Sequence, residues 1–122
     1  MATLKPALTI TGTSADFGAA LSLSVSKSLT VGQPYVGLSK VNILHTGETK
    51  LLDKTINTLT TYIYMKNTDS SNYVIFRNED DGVIGVLNPG EWCFLPVQGE
   101  RGLEVLANNA TCTLEYAYWT KA

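Results

Sequence analysis

Apolar and polar residues alternate along most of the chain from residue 20 onward. In residues 20–26, Leu21, Leu23 and Val25 face one way and three serines face the other. A period of two is typical of a β-strand with one covered and one wet face. The segment is therefore predicted to be a half-buried strand.

Similar segments follow, separated by residues that favour turns. The predicted strands cover residues 28–31, 35–45, 60–67, 72–78, 82–87, 92–97, 103–106 and 111–120. A change of parity predicts a bulge near residues 39–40. Residues 46–58 give no clear period and are interpreted as extended or loop. Turns every eight to twelve residues, with no sustained helical period, are typical of a sandwich, barrel or jelly roll.

Three local patterns add detail to this prediction. The polar residues 67–71 are expected to close a hairpin between the strands on either side of them. The apolar run 82–87 is expected to be buried on both faces. The sequence Pro89-Gly90 predicts a type II turn with a positive φ at Gly90, since Pro presets the preceding position and Gly enters that region at little cost.

The fold class predicted is all-β: a single β-sandwich or jelly-roll domain of about eight strands, spanning residues 19–122. Residues 1–18 are predicted to form an extended N-terminal arm that docks on a partner, because Pro6, Gly12 and Gly18 interrupt it while Leu4, Leu8, Ile10 and Phe17 are too apolar for a solvated tail. The alternative is that residues 7–11 form a first strand paired within the subunit.

Length and composition narrow the function classes. The 122 residues fit one domain, and only 16% are charged, with a net charge of −2. A protein that coats nucleic acid would show a basic field, so no nucleic-acid partner is expected. The apolar runs are far shorter than the ~20 residues that span a bilayer, and the first residues, which have no sustained apolar run, are not expected to act as a secretion leader. No membrane partner is expected.

Residues for catalysis are scarce. The single His45 excludes a histidine cluster, and the acidic turn at residues 79–82 lacks the alternating oxygen ligands of a calcium loop. Cys93 and Cys112 could form one disulfide, but two buried thiols used as small apolar groups are the favoured interpretation. We therefore expect no enzyme activity, no catalytic residue, no cofactor and no metal.

Aromatic residues are the remaining candidates for a site. Two tyrosine pairs each share a strand face, and both tryptophans lie near strand ends. Such rows can stack on sugar rings or contact a protein, although core packing is the simpler interpretation for each tyrosine. Together with the arm, they give the candidate interface residues Leu4, Leu8, Ile10, Phe17, Tyr62, Tyr64, Trp92, Tyr116, Tyr118 and Trp119.

The C-terminal half also carries a recurrent set of motifs. An aromatic strand ends in a polar turn, a Leu-x-Pro-Gly-Glu turn follows, the next strand ends in Pro, and the terminal strand alternates Glu and Tyr. The positions are Asn67-Thr68-Asp69, Leu87-Asn88-Pro89-Gly90-Glu91, Pro96 and Glu115-Tyr116. In these features the chain resembles the small β-sandwich virion structural proteins of tailed bacteriophages.

The resemblance implies a virion component, in the first place a capsid decoration (cement) protein that stabilises the head by binding the major capsid protein. It also implies a homotrimer, made in the host cytoplasm and placed on the capsid surface. The alternatives are a tail or neck component, or a glycan-binding adhesin module of the virion.

Overall fold

The computed structural model describes residues 1–13, 21–56, 58–80 and 82–122, in which eleven β-strands and one short 3₁₀ helix are found. The strands are β1 (Ala2–Leu4), β2 (Ala7–Gly12), β3 (Leu21–Ser26), β4 (Leu29–Ile43), β5 (Thr49–Leu52), β6 (Thr60–Asn67), β7 (Val74–Arg77), β8 (Val83–Leu87), β9 (Trp92–Gln98), β10 (Leu103–Ala107) and β11 (Cys112–Lys121). The 3₁₀ helix, Gly99–Arg101, joins β9 to β10. The prediction of an all-β protein is confirmed.

The strands form two antiparallel sheets and a separate hairpin. One sheet has the order β1-β4-β11-β6-β9, the other has the order β5-β10-β7-β8, and β2 pairs only with β3. A single hydrophobic core contains residues of both sheets, which therefore pack face to face. The arrangement is consistent with the β-sandwich class.

The pairing of the strands is nested. β4 pairs with β11, β5 with β10, β6 with β9, and β7 with β8. Consecutive strands from β4 to β7 alternate between the sheets, so β6 and β7 lie in different sheets. The predicted hairpin across residues 67–71 is therefore wrong, because this turn carries the chain from one sheet to the other.

Strand β6 shows how the alternating pattern builds the core. Thr61, Ile63, Met65 and Asn67 are buried, while the residues between them are half-buried on the opposite face. Burial of each large aliphatic side chain contributes about 1.5–3 kcal/mol. The fully buried apolar residues of this core are Ile43, Ile63, Met65, Val74, Leu103, Val105, Ala107, Cys112 and Leu114.

The two strands predicted over residues 28–45 are one strand, β4. Its register against β11 shifts between Val36 and Ser39 and again between Gly32 and Tyr35, so β4 carries extra residues at both places. The predicted bulge exists, but it lies about two residues earlier than expected. The second irregularity, at the cis bond between Gln33 and Pro34, replaces the predicted break between two strands.

Two segments are less buried than their patterns predict. All six residues of β3 are exposed, so the strand is confirmed but its half-burial is wrong. In β8, Val83, Ile84 and Val86 are 65%, 47% and 45% exposed, so burial on both faces is also wrong. β8 is an edge strand, and a second sheet layer covers only one of its faces.

Gly85 in β8 has a packing reason. A Cβ atom at this position would lie 2.7 Å from Cζ of Phe76, so the aromatic ring occupies the space of a side chain. The ring thereby seals the core at the edge of the four-stranded sheet.

The N-terminal segment is paired rather than free. β1 pairs with the start of β4, placing Leu4 opposite Leu29, while β2 pairs with β3 from Ala7 opposite Ser26 to Gly12 opposite Leu21. The segment thus adds one strand to a sheet and half of a hairpin beside the sandwich. Its predicted boundary at residue 18 lies outside the described residues.

Candidate interaction surface

Aromatic side chains lie on the outer face of the five-stranded sheet. Since Ile63 and Met65 point into the core, Tyr62 and Tyr64 point outward, and the residues directly opposite them share that face. Phe94 lies opposite Tyr64, and Trp119 lies opposite Tyr62. The rings of Tyr62 and Phe94 are parallel within 3°, with centroids 6.3 Å apart.

Tyr64 is held in place by the neighbouring strand β11. Its hydroxyl donates a hydrogen bond of 2.8 Å to Oε1 of Glu115. Burial, and then this hydrogen bond to a carboxylate, raises the pKa of Tyr64 to about 12. The hydroxyl therefore stays protonated at neutral pH and fixes the position of the ring.

The other tyrosine pair has a different place. Tyr116 and Tyr118 lie opposite Met65 and Ile63, on the inner side of the sheet, and pack against the core. Burial raises the pKa of Tyr118. The structure thus separates these two candidate residues from the outer aromatic face that carries Tyr62, Tyr64 and Trp119.

The β2–β3 hairpin has one apolar and one polar face. Leu8 lies opposite Val25, and Ile10 lies opposite Leu23. The apolar face contains Leu8, Ile10, Leu21, Leu23 and Val25, whereas threonines and serines occupy the other face. The side chains of the apolar face other than Leu8 are 40–52% exposed. We call this set of five residues the hairpin apolar face.

The hairpin and β9 border one groove. The groove encloses about 830 Å³ and its lining includes Pro6, Leu8, Ile10, Val25, Trp92 and Phe94. It thus brings the candidate residues Leu8, Ile10 and Trp92 together. Leu4 stands apart in β1, half-buried at the sheet edge, and Phe17 lies outside the described residues.

Sequence reasoning missed several residues of this surface. The pattern predicts that Leu21, Leu23 and Val25 lie on the covered face of a half-buried strand and that Val83 and Val86 lie in a strand buried on both faces, and it does not single out Phe94. The usable signal was the absence of charge: β2, β3, β8 and β9 contain no charged residue, whereas every other strand longer than three residues contains at least one. We call β2, β3, β8 and β9 the uncharged side.

The charges concentrate on the opposite part of the four-stranded sheet. Arg77 donates to Glu104 over 2.9 Å and also pairs with Glu48. Lys50 lies 3.5 Å from Glu79, and other ion pairs join the turns that follow β5 and β7 to each other and to the 3₁₀ helix. We call β5, β7 and β10, with these turns and the 3₁₀ helix, the charged side. Many of its charges are paired within the chain.

The motif turns have a structural role centred on Asn67. This side chain is fully buried; its Nδ2 donates to the carbonyls of Asn72 (2.9 Å) and Leu87 (3.0 Å), and its Oδ1 accepts from the amide of Asp69. Its backbone amide and carbonyl bond to Glu91 and Gly90. Asn67 therefore ties both turns of the resemblance together.

The Pro89-Gly90 turn has the predicted backbone. Gly90 has φ of +79°, and the amide of Glu91 donates to the carbonyl of Asn88 over 2.9 Å. The carboxylate of Glu91 accepts a further hydrogen bond of 2.7 Å from the amide of Asn88. The predicted positive φ is confirmed.

Few groups are available for chemistry. Within residues 1–13, 21–56, 58–80 and 82–122, no three His, Cys, Asp or Glu side chains stand close enough to hold a metal ion. Cys93 and Cys112 are free thiols, and burial raises the pKa of Cys93 to about 11. No helix in the described part of the chain is long and apolar enough to cross a membrane.

Comparisons with known proteins give no relative: no family model matches the chain, and no curated protein or solved structure matches it.

Proposed function

We propose that this protein is a structural protein of a tailed-phage virion: a capsid decoration (cement) protein that stabilises the head by binding the major capsid protein. The observation that carries the proposal is the uncharged side. There the chain leaves apolar strands exposed, while every buried side-chain nitrogen and oxygen of the described residues has a hydrogen-bond partner. A large uncovered apolar surface is typical of a protein that works in an assembly.

The strand order supports a jelly-roll domain as the finer description of the fold. If β4 is numbered first and β11 eighth, the strand pairs are first with eighth, second with seventh, third with sixth and fourth with fifth. This is one long antiparallel ribbon rolled into two sheets. Jelly rolls occur in viral capsid and lectin domains, which fits a virion role, although a fold alone does not define a function.

The proposed mechanism is mechanical. Each copy, as part of a homotrimer on the capsid surface, removes apolar area from water against its neighbours and the major capsid protein, at about 25 cal/mol for each Å² buried. Many copies engaged at once add their contacts by avidity and so offset the outward pressure of packaged DNA. The protein is made in the host cytoplasm and joins the particle there.

The outer aromatic face favours a second candidate, a tail or neck component or a glycan-binding adhesin module. The parallel rings of Tyr62 and Phe94, beside the 52% exposed Trp92, offer apolar planes on which sugar rings can stack. Binding of oligosaccharides to the purified protein, lost in Trp92→Ala, would favour this candidate.

Immunogold labelling of purified particles tests both candidates. Labels over the whole head are expected for a decoration protein, whereas labels at one vertex would support the tail or neck candidate. Particles that carry no label, although the antibody recognises the protein in infected cells, would contradict a virion role.

A further inference from the structure

β9 leaves an open sheet edge in the groove beside the hairpin. It is the last strand of the five-stranded sheet and pairs only with β6. The amide of Asn67 donates to the carbonyl of Glu91, which sets the alternation of hydrogen bonds along this strand pair. Antiparallel pairing then turns the main-chain groups of Cys93 towards β6 and those of Trp92 and Phe94 away from it. All three residues line the groove, so the unpaired main-chain groups open into it.

This edge is not protected against pairing. Native sheets protect their edges with charged side chains, prolines or bulges. β9 has no charged residue, and its register against β6 shows no shift over residues 92–98. Pro96, which lacks an N–H group, lies two residues beyond the part of β9 that lines the groove. Residues 92–94 therefore form an edge on which a further strand can pair.

The opposite wall of the groove is apolar. Leu8, Ile10 and Val25 of the hairpin apolar face line it, and Ile10 and Val25 are 40% and 52% exposed. A lipid chain would cover this wall but leave the main-chain groups of β9 unpaired, whereas a sugar would offer hydrogen bonds but little apolar cover. An extended peptide provides both, because its main chain pairs with the edge while alternate side chains point to one side.

One positive charge marks an end of the groove. Lys27 is the only charged residue among the described residues that line it, and its amide donates to the carbonyl of Pro6 over 3.2 Å. Its ammonium group has no ion pair within the described part of the chain. From this end the groove follows β2 from Ala7 to Thr11, which is about 17 Å of extended chain. The charge and the length together fit a short segment with an acidic residue at the Lys27 end.

We propose that this groove binds an extended peptide of about six residues, which adds to the five-stranded sheet as a strand beside β9. The peptide carries apolar side chains at alternate positions and one acidic side chain at the end next to Lys27. Main-chain hydrogen bonds supply the affinity, and the apolar wall and Lys27 supply the specificity. The inference deepens the proposed function and rests on it for the source of the peptide, which is a segment of the major capsid protein.

Calorimetric titration of the purified protein with synthetic peptides tests the proposal. Asp-Val-Thr-Val-Thr-Val and Val-Thr-Val-Thr-Val-Asp, blocked at both ends, carry the acidic residue at the start or at the end and so cover both strand directions. One of the two is expected to bind saturably below ~1 mM. It should bind about three- to fivefold more tightly than its counterpart with Asn in place of Asp, as expected for an exposed ion pair.

Variants of Lys27 show whether this residue binds the acidic side chain. Lys27→Gln should bind the Asp and Asn peptides equally, and Lys27→Glu should prefer a peptide with Lys in place of Asp. Lys40→Glu is the matched control, because Lys40 is exposed in β4 and does not line the groove, and it should keep the preference of the unchanged chain. Lys27 is exposed as well, and circular dichroism checks that every variant folds.

Two further measurements show whether the peptide adds as a strand. N-methylation of either its odd or its even residues removes the main-chain donors on one side, and one of these two versions should bind at least ~10-fold more weakly. The amides of Trp92 and Phe94, which point away from β6, should exchange hydrogen at least ~10-fold more slowly at saturating peptide.

Four results would overturn the inference: no binding of either peptide below ~1 mM, equal binding of the Asp and Asn peptides, N-methylated versions that both bind like the parent, or unchanged exchange at Trp92 and Phe94. Slower exchange at these amides when the protein alone is concentrated would assign the groove to a second copy and overturn it as well. The measurements use synthetic peptides and no particle. Their outcome is therefore independent of the labelling experiment, which tests the virion role.

Discussion

The charged side and the uncharged side expose surface of opposite kinds. On the charged side, Arg77 is held between Glu104 and Glu48, and Glu79 accepts a hydrogen bond of 2.8 Å from the amide of Lys54. On the uncharged side, apolar side chains of β3 and β8 remain 42–65% exposed. The first surface pairs many of its charged groups within the chain, whereas the second leaves apolar side chains in contact with water.

The two sides contribute differently to the stability of the monomer and to binding. Polar groups that find their partners inside the chain specify the fold and leave little for a partner to recognise. Exposed apolar strands contribute little to the stability of the monomer, because apolar side chains stabilise a structure only when they are removed from water. They can contribute more to an assembly that buries them. The two sides should therefore respond differently to substitution.

The largest effect is expected on the charged side. Arg77→Met leaves Glu104, which is only 9% exposed, without its cation, and should lower the free energy of unfolding by about 3 kcal/mol. Urea unfolding measures the change. The double variant Arg77→Met with Glu104→Met removes both charges and should recover much of the loss. A single variant as stable as the unchanged chain would show that the pair does not matter.

Raising the pH ionises the thiol of Cys93 in β9 and so places a negative charge within the uncharged side. Burial raises the pKa of Cys93 from 9.0 to about 11, so the thiol of the unfolded chain ionises first as the pH rises. The native state then holds more protons than the unfolded state, and the stability present below pH 9 should fall by about 2 kcal/mol as the pH passes through 11.

Thermal or urea unfolding between pH 8 and pH 11 measures this slope. Cys93→Ala is the control and should make it shallower, although Cys112, Tyr64 and Tyr118, whose pKa values burial also raises, add to the remaining decline. An identical slope in the control would contradict the role of the thiol.

A smaller effect is expected at the turn that joins β8 to β9. Gly90→Ala places a side chain at φ of +79°, where no atom lies within 4 Å of the new Cβ, so the cost is backbone strain alone. We expect a loss of about 1 kcal/mol by urea unfolding. Gly37→Ala, which also has open space but no positive φ, should cost less; equal effects would contradict the strain argument.

The smallest effect is expected on the hairpin itself. Leu23→Ser, measured at a concentration where the chain is monomeric, should change the free energy of unfolding by less than about 0.5 kcal/mol. Leu114→Ala, at a fully buried position, should cost about 2–5 kcal/mol. A comparable loss in Leu23→Ser would mean that the hairpin stabilises the monomer, and the contrast between the two sides would fail.

Much of the strand pattern is predictable from the sequence because alternation and turns are local. β6 begins and ends where its aromatic and branched residues predict, and the positive φ of Gly90 follows from the residue types. The pairing is not local. Residues 67–71 look like a hairpin turn, but the buried Asn67 binds the end of β8 and directs the chain into the other sheet.

Burial is predictable only where the covering layer is in the same chain. Leu21 and Ile84 sit in patterns that indicate a covered face, yet both are more than 40% exposed. The apolar pattern of a strand predicts a covered face, but it does not identify the surface that covers it. The candidate residues therefore lie in two different places. Tyr116 and Tyr118 pack on the core, while Leu8, Ile10 and Trp92 line one groove.

Amide hydrogen exchange on the dilute and on the assembled protein tests whether the uncharged side is the surface of assembly. We expect the protection gained on assembly to be confined to the amides of β2, β3, β8 and β9, with β5 and β10 unchanged. Protection gained mainly in β5 and β10, or no gain in any strand on assembly, would contradict it.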